Sequence, residues 1–219
     1  DMNILVTAAT AAELKPFLHR LNEGPFPAAD IDVLITGIGL TATTWSLTKQ
    51  FSIRKPDLVV QAGVAGCFDR NIALGTVVAV KKDALADQGV VEKGTLKTMF
   101  DLGLVPSNQY PFKKGWLVNN SEVLKKIRLR KVTGISVNEI TTSRQKVKQY
   151  EQQFQPVTES MEGAALHYVC LMEQIPFVQI RAVSNYITER NKKNWNLKES
   201  ITNLNQALWQ ALTVIAAGK

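Results

Sequence analysis

Buried-strand patterns and amphipathic helix patterns alternate along the chain, which predicts an α/β fold. Asn3–Ala8 is typical of a buried strand and leads into a helix pattern over Ala11–Arg20. The same alternation continues through Asp32–Thr36, Thr41–Phe51, Leu58–Ala62, Val77–Val80, Trp116–Val118, Ser121–Arg128, Val132–Val137 and Ser143–Phe154. Residues 81–115 lack periodicity and predict a loop with short strand pieces, whereas Asn194–Ala217 predicts a long amphipathic helix. We therefore expect one three-layer α/β/α domain over residues 1–219, with a central mixed sheet.

The stretch Thr158–Asn185 carries the clearest candidate site. Its pattern predicts a turn with two glutamates, a helix that ends at Pro176, and a buried strand over Phe177–Ala182. The polar residues Ser184 and Asn185 follow that strand. Ligand sites of open α/β sheets form beyond the carboxyl ends of the strands, so we expect a site here.

Glu162 is the charged residue to examine in this stretch. It falls in the first turn of the predicted helix, where the positive end of the helix dipole favours a charged carboxylate. An acceptor of this kind beside Ser184 and Asn185 suits a neutral polyhydroxylated ligand such as a ribose. A carboxylate at a helix start can equally serve as a cap, and the local pattern leaves both roles open.

Two glycine turns follow predicted strands, at Gly37–Gly39 and Gly63–Gly66. The first lacks the third glycine of a dinucleotide fingerprint, and the second lacks the lysine and hydroxyl ending of a phosphate loop. What they offer is close approach of the backbone to a flat ligand or another strand.

Composition and charge indicate an ordinary globular chain, with 45% hydrophobic and 21% charged residues. The net charge of +7 comes largely from Lys125–Lys131 and Arg190–Lys193, which we interpret as solvated faces or attraction for an anionic small substrate. No nucleic-acid motif, membrane-length apolar run or leader pattern is found, so we expect a cytoplasmic protein without nucleic-acid or membrane partners. Cys67 and Cys170 lie in apolar settings and predict free buried thiols, with no metal or cofactor.

These residues together resemble the nucleoside phosphorylase/nucleosidase superfamily, nearly from end to end. The matching segments are Met2–Glu13, Thr36–Gly39, Ala62–Gly66, Ser160–Ala165 and Arg181–Asn185. The chain is most similar to the hydrolytic branch, the methylthioadenosine/S-adenosylhomocysteine nucleosidases, and within it to the futalosine hydrolases of menaquinone biosynthesis. The resemblance implies a phosphorylase-like fold, a purine nucleoside substrate and a homodimer or higher homo-oligomer.

Hydrolysis of an N-ribosyl bond builds positive charge on the ribose and needs a water aimed at the anomeric carbon. By its match to the family, Glu13 is expected to be the general base, although a carboxylate at a helix start is the alternative. The resemblance gives Thr36 a role in holding the water and Glu162 a role in binding the ribose hydroxyls. Ser160 and Met161 belong to the same motif, and Met161 is expected to pack against the sugar.

Asn185 is where the chain departs from adenine-specific nucleosidases, which resemble it but carry an aspartate there. An asparagine has N–H donors and cannot ionise, so it can donate to both N7 and a 6-oxo group. This pattern favours hypoxanthine over adenine and leaves the acid that assists the leaving base unassigned. Ser184 is expected to orient Asn185. By analogy, the purine is expected to contact Ala62, Gly63, Val137 and Ile140.

Arg181 lies inside the predicted strand and is expected to be structural, paired with a carboxylate such as Glu159 or with a carbonyl. The basic residues Arg190, Lys192 and Lys193 could meet the carboxylate of a futalosine tail, or they could form a solvated turn.

Two other functions are open to this chain. Phosphorolysis needs an anion site beside the ribose, but Thr7–Glu13 has neither arginine nor glycine and places a carboxylate there. A non-catalytic nucleoside-binding protein would have no use for a water-activating base, so Glu13 argues against it.

Overall fold

The computed structural model describes residues 2–218 as a mixed sheet with helices on both faces. The strands are β1 (Met2–Ala8), β2 (Ala29–Ile35), β3 (Leu58–Cys67), β4 (Val77–Asp83), β5 (Gly89–Glu92), β6 (Thr95–Thr98), β7 (Leu117–Val118), β8 (Arg130–Ser136), β9 (Thr158–Ser160) and β10 (Phe177–Tyr186). The main sheet has the order β10-β4-β8-β9-β3-β1-β2, with β7 paired to β4, and β5–β6 forms a separate hairpin. Parallel and antiparallel pairs both occur, which confirms the predicted mixed sheet.

The helices follow the predicted order with small shifts at their ends. They are α1 (Lys15–Glu23), α2 (Leu40–Ile53), α3 (Glu122–Lys126), α4 (Arg144–Phe154), α5 (Gly163–Met172) and α6 (Leu197–Ala217), with short 3-10 helices at Ala11–Leu14 and Lys192–Asn194. In the part of the chain that the structure describes, no helix is both long and apolar enough to span a bilayer.

Alternate residues of the central strands pack into two separate cores, as period-2 strands buried on both faces require. On one face, Ile4 and Val6 of β1 pack with the apolar stripe of α6, which includes Leu204, Leu208 and Leu212. On the other face, Leu5 packs with side chains of α2 and α5, including Leu47, Phe51, Leu166 and Val169. The predicted three-layer arrangement is confirmed.

Strand β3 corrects the sequence-based prediction for Gly63–Gly66, because these residues continue the strand and do not form a turn. β3 pairs in parallel with β10 and, near its end, antiparallel with β9. These two partners satisfy its backbone groups well beyond the apolar run that predicted the strand. The predicted turn at Thr158–Ser160 is β9 for the same reason, and Ser184 and Asn185 lie inside β10.

Both cysteines are buried free thiols, as predicted. Burial raises the pKa of Cys67 and of Cys170, so neither side chain has the character of a reactive thiolate.

Gly163, the first residue of α5, has no room for a side chain. A Cβ there would lie 2.3 Å from Asp83 Oδ2 and 2.4 Å from Gln179 Oε1, both fully buried. We expect Gly163→Ala to lower the free energy of unfolding by about 1–3 kcal/mol through overpacking, measured as a lower urea midpoint at unchanged slope. Gly24→Ala is the control, since nothing lies within 4 Å of its Cβ position. Equal midpoints for the two variants would contradict this packing.

Candidate active site

A cavity of about 400 Å³ opens at the carboxyl ends of β1, β3, β9 and β10. This edge of the sheet is where the sequence predicted the site. Seven predicted residues line the cavity together: Glu13, Ile140, Ser160, Met161, Glu162, Ser184 and Asn185. Within residues 2–218, no group of three or more His, Cys, Asp or Glu side chains is arranged to hold a metal ion.

Glu13 is held by donors on both of its carboxylate oxygens. The backbone N and the hydroxyl of Thr10 donate to Oε1 at 3.2 and 3.0 Å, and Val64 N donates to Oε2 at 2.9 Å. The residue therefore is a helix-start carboxylate and also lines the cavity, where its role as general base stays a prediction. Thr10 was missed, although a threonine three residues before a glutamate is a capping-box signature.

Asn205 ties the last helix to the segment that carries Glu13. Its Nδ2 donates to the Glu13 carbonyl at 2.8 Å, and its Oδ1 accepts from Phe17 N at 3.1 Å. Asn205 is buried on α6, and its Nδ2 also donates to the Ile201 carbonyl of that helix at 2.7 Å, so the amide joins α6 to the start of α1. Sequence reasoning missed it, although an asparagine between Leu204 and Leu208 on an apolar face was the available signal.

Glu162 is engaged in contacts across the fold and does not cap its helix. It occupies the N-cap position of α5 but makes no side-chain cap hydrogen bond. Gly39 N donates to Oε2 at 3.1 Å, and Arg181 Nη1 lies 3.3 Å from Oε1. Arg181 is paired with a carboxylate and a carbonyl, as expected, but the carboxylate is that of Glu162. Glu159, the example given from the sequence, instead accepts from the N and hydroxyl of Thr141. Burial raises the pKa of Glu159, and these two hydrogen bonds oppose that rise.

Arg181 is a nearly fully buried guanidinium in which each of the three nitrogens has an acceptor. Its Nη2 donates to Gln61 Oε1 at 2.8 Å, its Nε to Gln179 Oε1 at 3.0 Å, and its Nη1 also to the Val64 carbonyl at 3.2 Å. Gln61 and Gln179 were missed by sequence reasoning. Each is a polar residue inside an otherwise apolar strand, and a buried polar group requires a partner, so this interruption was the signal.

A bulge in β10 turns two consecutive side chains towards the cavity. Neighbouring strand residues normally point to opposite faces, but the register with β3 shifts between Val183 and Asn185. Ser184 Oγ donates to Asn185 Oδ1 at 3.0 Å, which agrees with the predicted orienting role. Asn185 Nδ2 donates to the Tyr186 carbonyl at 3.2 Å, so one N–H remains for a ligand acceptor, where the sequence predicted two, for N7 and a 6-oxo group.

Three predicted residues lie behind the cavity wall. The hydroxyl of Thr36 donates to the Gly37 carbonyl at 2.8 Å and is buried there. Ala62 belongs to the core under α6, and Val137 packs in a core cluster with Tyr150. Thr36 and Val137 follow β2 and β8, and no residue of these two strands lines the cavity. Ala62 lies deeper in β3, which reaches the cavity only at Val64, Ala65 and Gly66.

Gly63 also lies behind the wall, where it makes space for two functional side chains. A Cβ on Gly63 would stand 2.4 Å from Arg181 Nη1 and 2.9 Å from Glu13 Oε2. The next residues of β3, Ala65 and Gly66, line the cavity instead.

A buried hydrogen-bond chain continues from Arg181 into the protein. Gln179 Nε2 donates to Asp83 Oδ2 at 3.0 Å and contacts His167 Nε2 at 2.9 Å, while His167 Nδ1 lies 2.9 Å from the Leu117 carbonyl. A carbonyl can only accept, so Nδ1 carries the proton and Nε2 accepts from Gln179. Burial lowers the pKa of His167, which agrees with a neutral ring.

Nearly the whole chain matches a family model. The model described as "Phosphorylase superfamily" covers residues 4–217, and the chain belongs to that superfamily. This membership confirms the family predicted from the sequence.

The chain is similar in sequence to curated nucleosidases. A 5′-methylthioadenosine/S-adenosylhomocysteine nucleosidase of Maridesulfovibrio salexigens is 27% identical over 86% of this chain and 87% of its own length. The corresponding protein of Buchnera aphidicola is 26% identical over 80% of this chain and 76% of its own.

Solved structures share the fold at low sequence identity. A Helicobacter pylori methylthioadenosine nucleosidase mutant with 5′-methylthioadenosine in its active site has a TM-score of 0.82 at 16% identity, covering 97% of this chain and 99% of its own. The futalosine hydrolase of Helicobacter pylori has a TM-score of 0.75 at 14% identity, covering 100% and 98%.

The two histidines of the chain allow a direct test of the buried network, because His167 is fully buried and His19 is exposed. With its pKa lowered, His167 is neutral in the folded protein, whereas the unfolded chain binds a proton below about pH 6.5. Its contribution to stability is therefore present above that pH and is lost as the pH falls towards the folded pKa.

We expect nitrogen NMR to show the Nδ1–H tautomer of His167 unchanged between about pH 7.5 and 6. The His19 signals serve as the comparison. Protonation of His167 near the ordinary histidine pKa would contradict the assigned network.

Proposed function

We propose that the protein is a purine N-ribosyl hydrolase that uses water as its nucleophile. The observation that carries the proposal is the meeting of Glu13, Glu162 and Asn185 in one cavity. These two acceptors and one amide donor are the groups that hydrolysis of a nucleoside requires. Glu13 would be the base for the water, Glu162 the partner of the ribose hydroxyls and Asn185 the donor to the purine. The nucleosidase names of the relatives support the same reaction class.

In the proposed reaction, the C–N bond lengthens and positive charge develops on the ribose before water attacks. Glu162 accepts from the ribose hydroxyls and lies where its negative charge stabilises that cation. Glu13 takes the proton of the attacking water and directs its oxygen to the anomeric carbon. The donors on both Glu13 oxygens fix its orientation, so little rearrangement precedes attack.

Phosphorolysis fits this cavity less well. A phosphate beside the ribose would need cationic or amide donors. Three side-chain carboxylates line the cavity, and among the described residues only that of Glu162 is paired with a cation, so those of Glu13 and Glu159 would repel the phosphate. Arg181 lies behind the wall with its donors engaged by protein acceptors.

For the leaving base we propose hypoxanthine, with futalosine as the substrate. Ser184 occupies the oxygen of the Asn185 amide, so the group presented to a ligand is an N–H. Both hypoxanthine and adenine offer an acceptor at N7, but at position 6 hypoxanthine offers the acceptor O6 and adenine an amine donor, so this N–H can serve hypoxanthine at either atom. The second candidate is a methylthioadenosine/S-adenosylhomocysteine nucleosidase, which the names of the sequence relatives favour.

We also propose that the protein forms a homodimer or a higher homo-oligomer. Ile38, Trp45 and Tyr110 are 62%, 68% and 60% exposed, an unusual state for large apolar side chains. Trp45 and Tyr110 line a surface hollow of about 840 Å³ beside α2, which a second copy could fill. Light scattering on the purified chain would distinguish a monomer from an oligomer.

Base release in phosphate-free buffer tests the proposed reaction. Futalosine, inosine, methylthioadenosine and aminodeoxyfutalosine would be supplied in parallel. We expect hypoxanthine from futalosine as the dominant product. Release from the adenine nucleosides instead would favour the second candidate, and turnover only after phosphate is added would overturn hydrolysis.

The matched catalytic control is Glu13→Gln, which keeps the shape of the side chain but removes the base. We expect kcat to fall by about 100- to 10,000-fold, while nucleoside binding measured by calorimetry persists. Preserved turnover would remove Glu13 from its role, and loss of both turnover and binding would indicate a folding defect.

Asn185→Asp tests recognition of the base. The change replaces the N–H donor with an acceptor of the same size, so we expect the ratio of kcat/KM for futalosine to that for aminodeoxyfutalosine to fall by about tenfold or more. Ser184 is left intact as the orienting partner. Equal loss on both nucleosides would contradict purine discrimination at this position.

A further inference from the structure

The loop of residues 187–196, between β10 and α6, brings a cation to the cavity. Arg190 and Trp195 both line the cavity wall. The Arg190 guanidinium carbon lies 5.4 Å from the centre of the Trp195 ring, within the range of a cation–π contact. A charged group and an aromatic face therefore stand side by side where a ligand would pass.

Hydrogen bonds to Glu189 hold this loop in its conformation. The Glu189 carboxylate accepts from Asn191 N at 2.7 Å and from Asn194 Nδ2 at 2.9 Å, and the Glu189 carbonyl accepts from Trp195 Nε1 at 2.9 Å. The Asn194 and Asn191 hydrogen bonds lower the pKa of Glu189. Because Glu189 is committed to the turn, it does not neutralise Arg190, which has no ion pair within residues 2–218.

The charges on the cavity wall are unevenly distributed. The wall carries the carboxylates of Glu13, Glu159 and Glu162, and the one cationic side chain among the described lining residues is Arg190. An anionic group on a ligand is repelled near the glutamates and attracted at the loop. A nucleoside that carries an anion far from its glycosidic bond would thus bind in one direction only.

We propose that Arg190, beside Trp195, forms a subsite for a carboxylate on the distal substituent of the nucleoside substrate, and so determines specificity. The proposal rests on the proposed function and names the substrate class as an anionic nucleoside. A guanidinium presents two parallel N–H donors to a carboxylate, and the Trp195 ring in the same wall offers an apolar contact to an aryl group attached to it. A single arginine matches one carboxylate better than a phosphate, for which several donors are usual.

The test compares futalosine with its methyl ester, which has the same skeleton without the charge. We expect Arg190→Gln to reduce the ratio of kcat/KM for the acid to that for the ester by about 10- to 100-fold, mainly through KM. Added salt should reduce the same ratio in the native protein. Lys193→Gln is the control, because Lys193 is an exposed cation of the same loop that does not line the cavity; its ratio should match that of the native protein.

An unchanged ratio in Arg190→Gln would overturn the subsite, and so would an equal reduction of the ratio in Lys193→Gln. Calorimetric binding of the acid and the ester separates this inference from the proposed function. Acid-selective binding that depends on Arg190 without any hydrolysis would overturn hydrolysis alone. Absence of binding by either compound would overturn both.

Discussion

The buried ion pair of Arg181 and Glu162 is the constraint on which the site depends. Desolvation of a guanidinium is costly by several kcal/mol unless its donors are satisfied, and the loss of one partner of such a pair typically destabilises a protein by about 3–5 kcal/mol. Gln61 and Gln179 complete the set of acceptors, which fixes the head of Arg181 against Glu162. The same carboxylate that neutralises the arginine is therefore held, in a single orientation, in the wall of the cavity.

Much of the fold could be predicted because its strands and helices are strongly patterned. β1, α2 and α6 were identified from apolar runs or from a helical stripe of apolar residues, which are visible in the local sequence alone. β9 and the end of β3 were not, since three residues of a short strand carry no periodic signal and their pairing joins distant segments. The hydrophobic periodicity of a strand can be read from its own residues, but its pairing partner depends on strands elsewhere in the chain.

The site was predicted by position more successfully than by the direction of its side chains. Family motifs identified Glu13, Glu162 and Asn185, and all three line the cavity. The same motifs could not predict that the Thr36 hydroxyl donates to the neighbouring Gly37 carbonyl. Nor could they predict the bulge that brings the side chains of Ser184 and Asn185 to the same side of β10. They also could not distinguish Glu162 from Glu159 as the partner of Arg181, because that choice follows from the β9 pairing and the start of α5.

The pairing of β3 with β10 has a consequence for how the protein is made. These two strands are separated by more than a hundred residues, yet they share the longest register in the sheet. During synthesis, β1, β2 and β3 can associate early, but β3 must wait with an open edge until β10 leaves the ribosome. Because β10 also supplies Arg181 and Asn185, the candidate site cannot be complete before that strand is made, and a nascent chain halted before it would expose the sheet edge to chaperones.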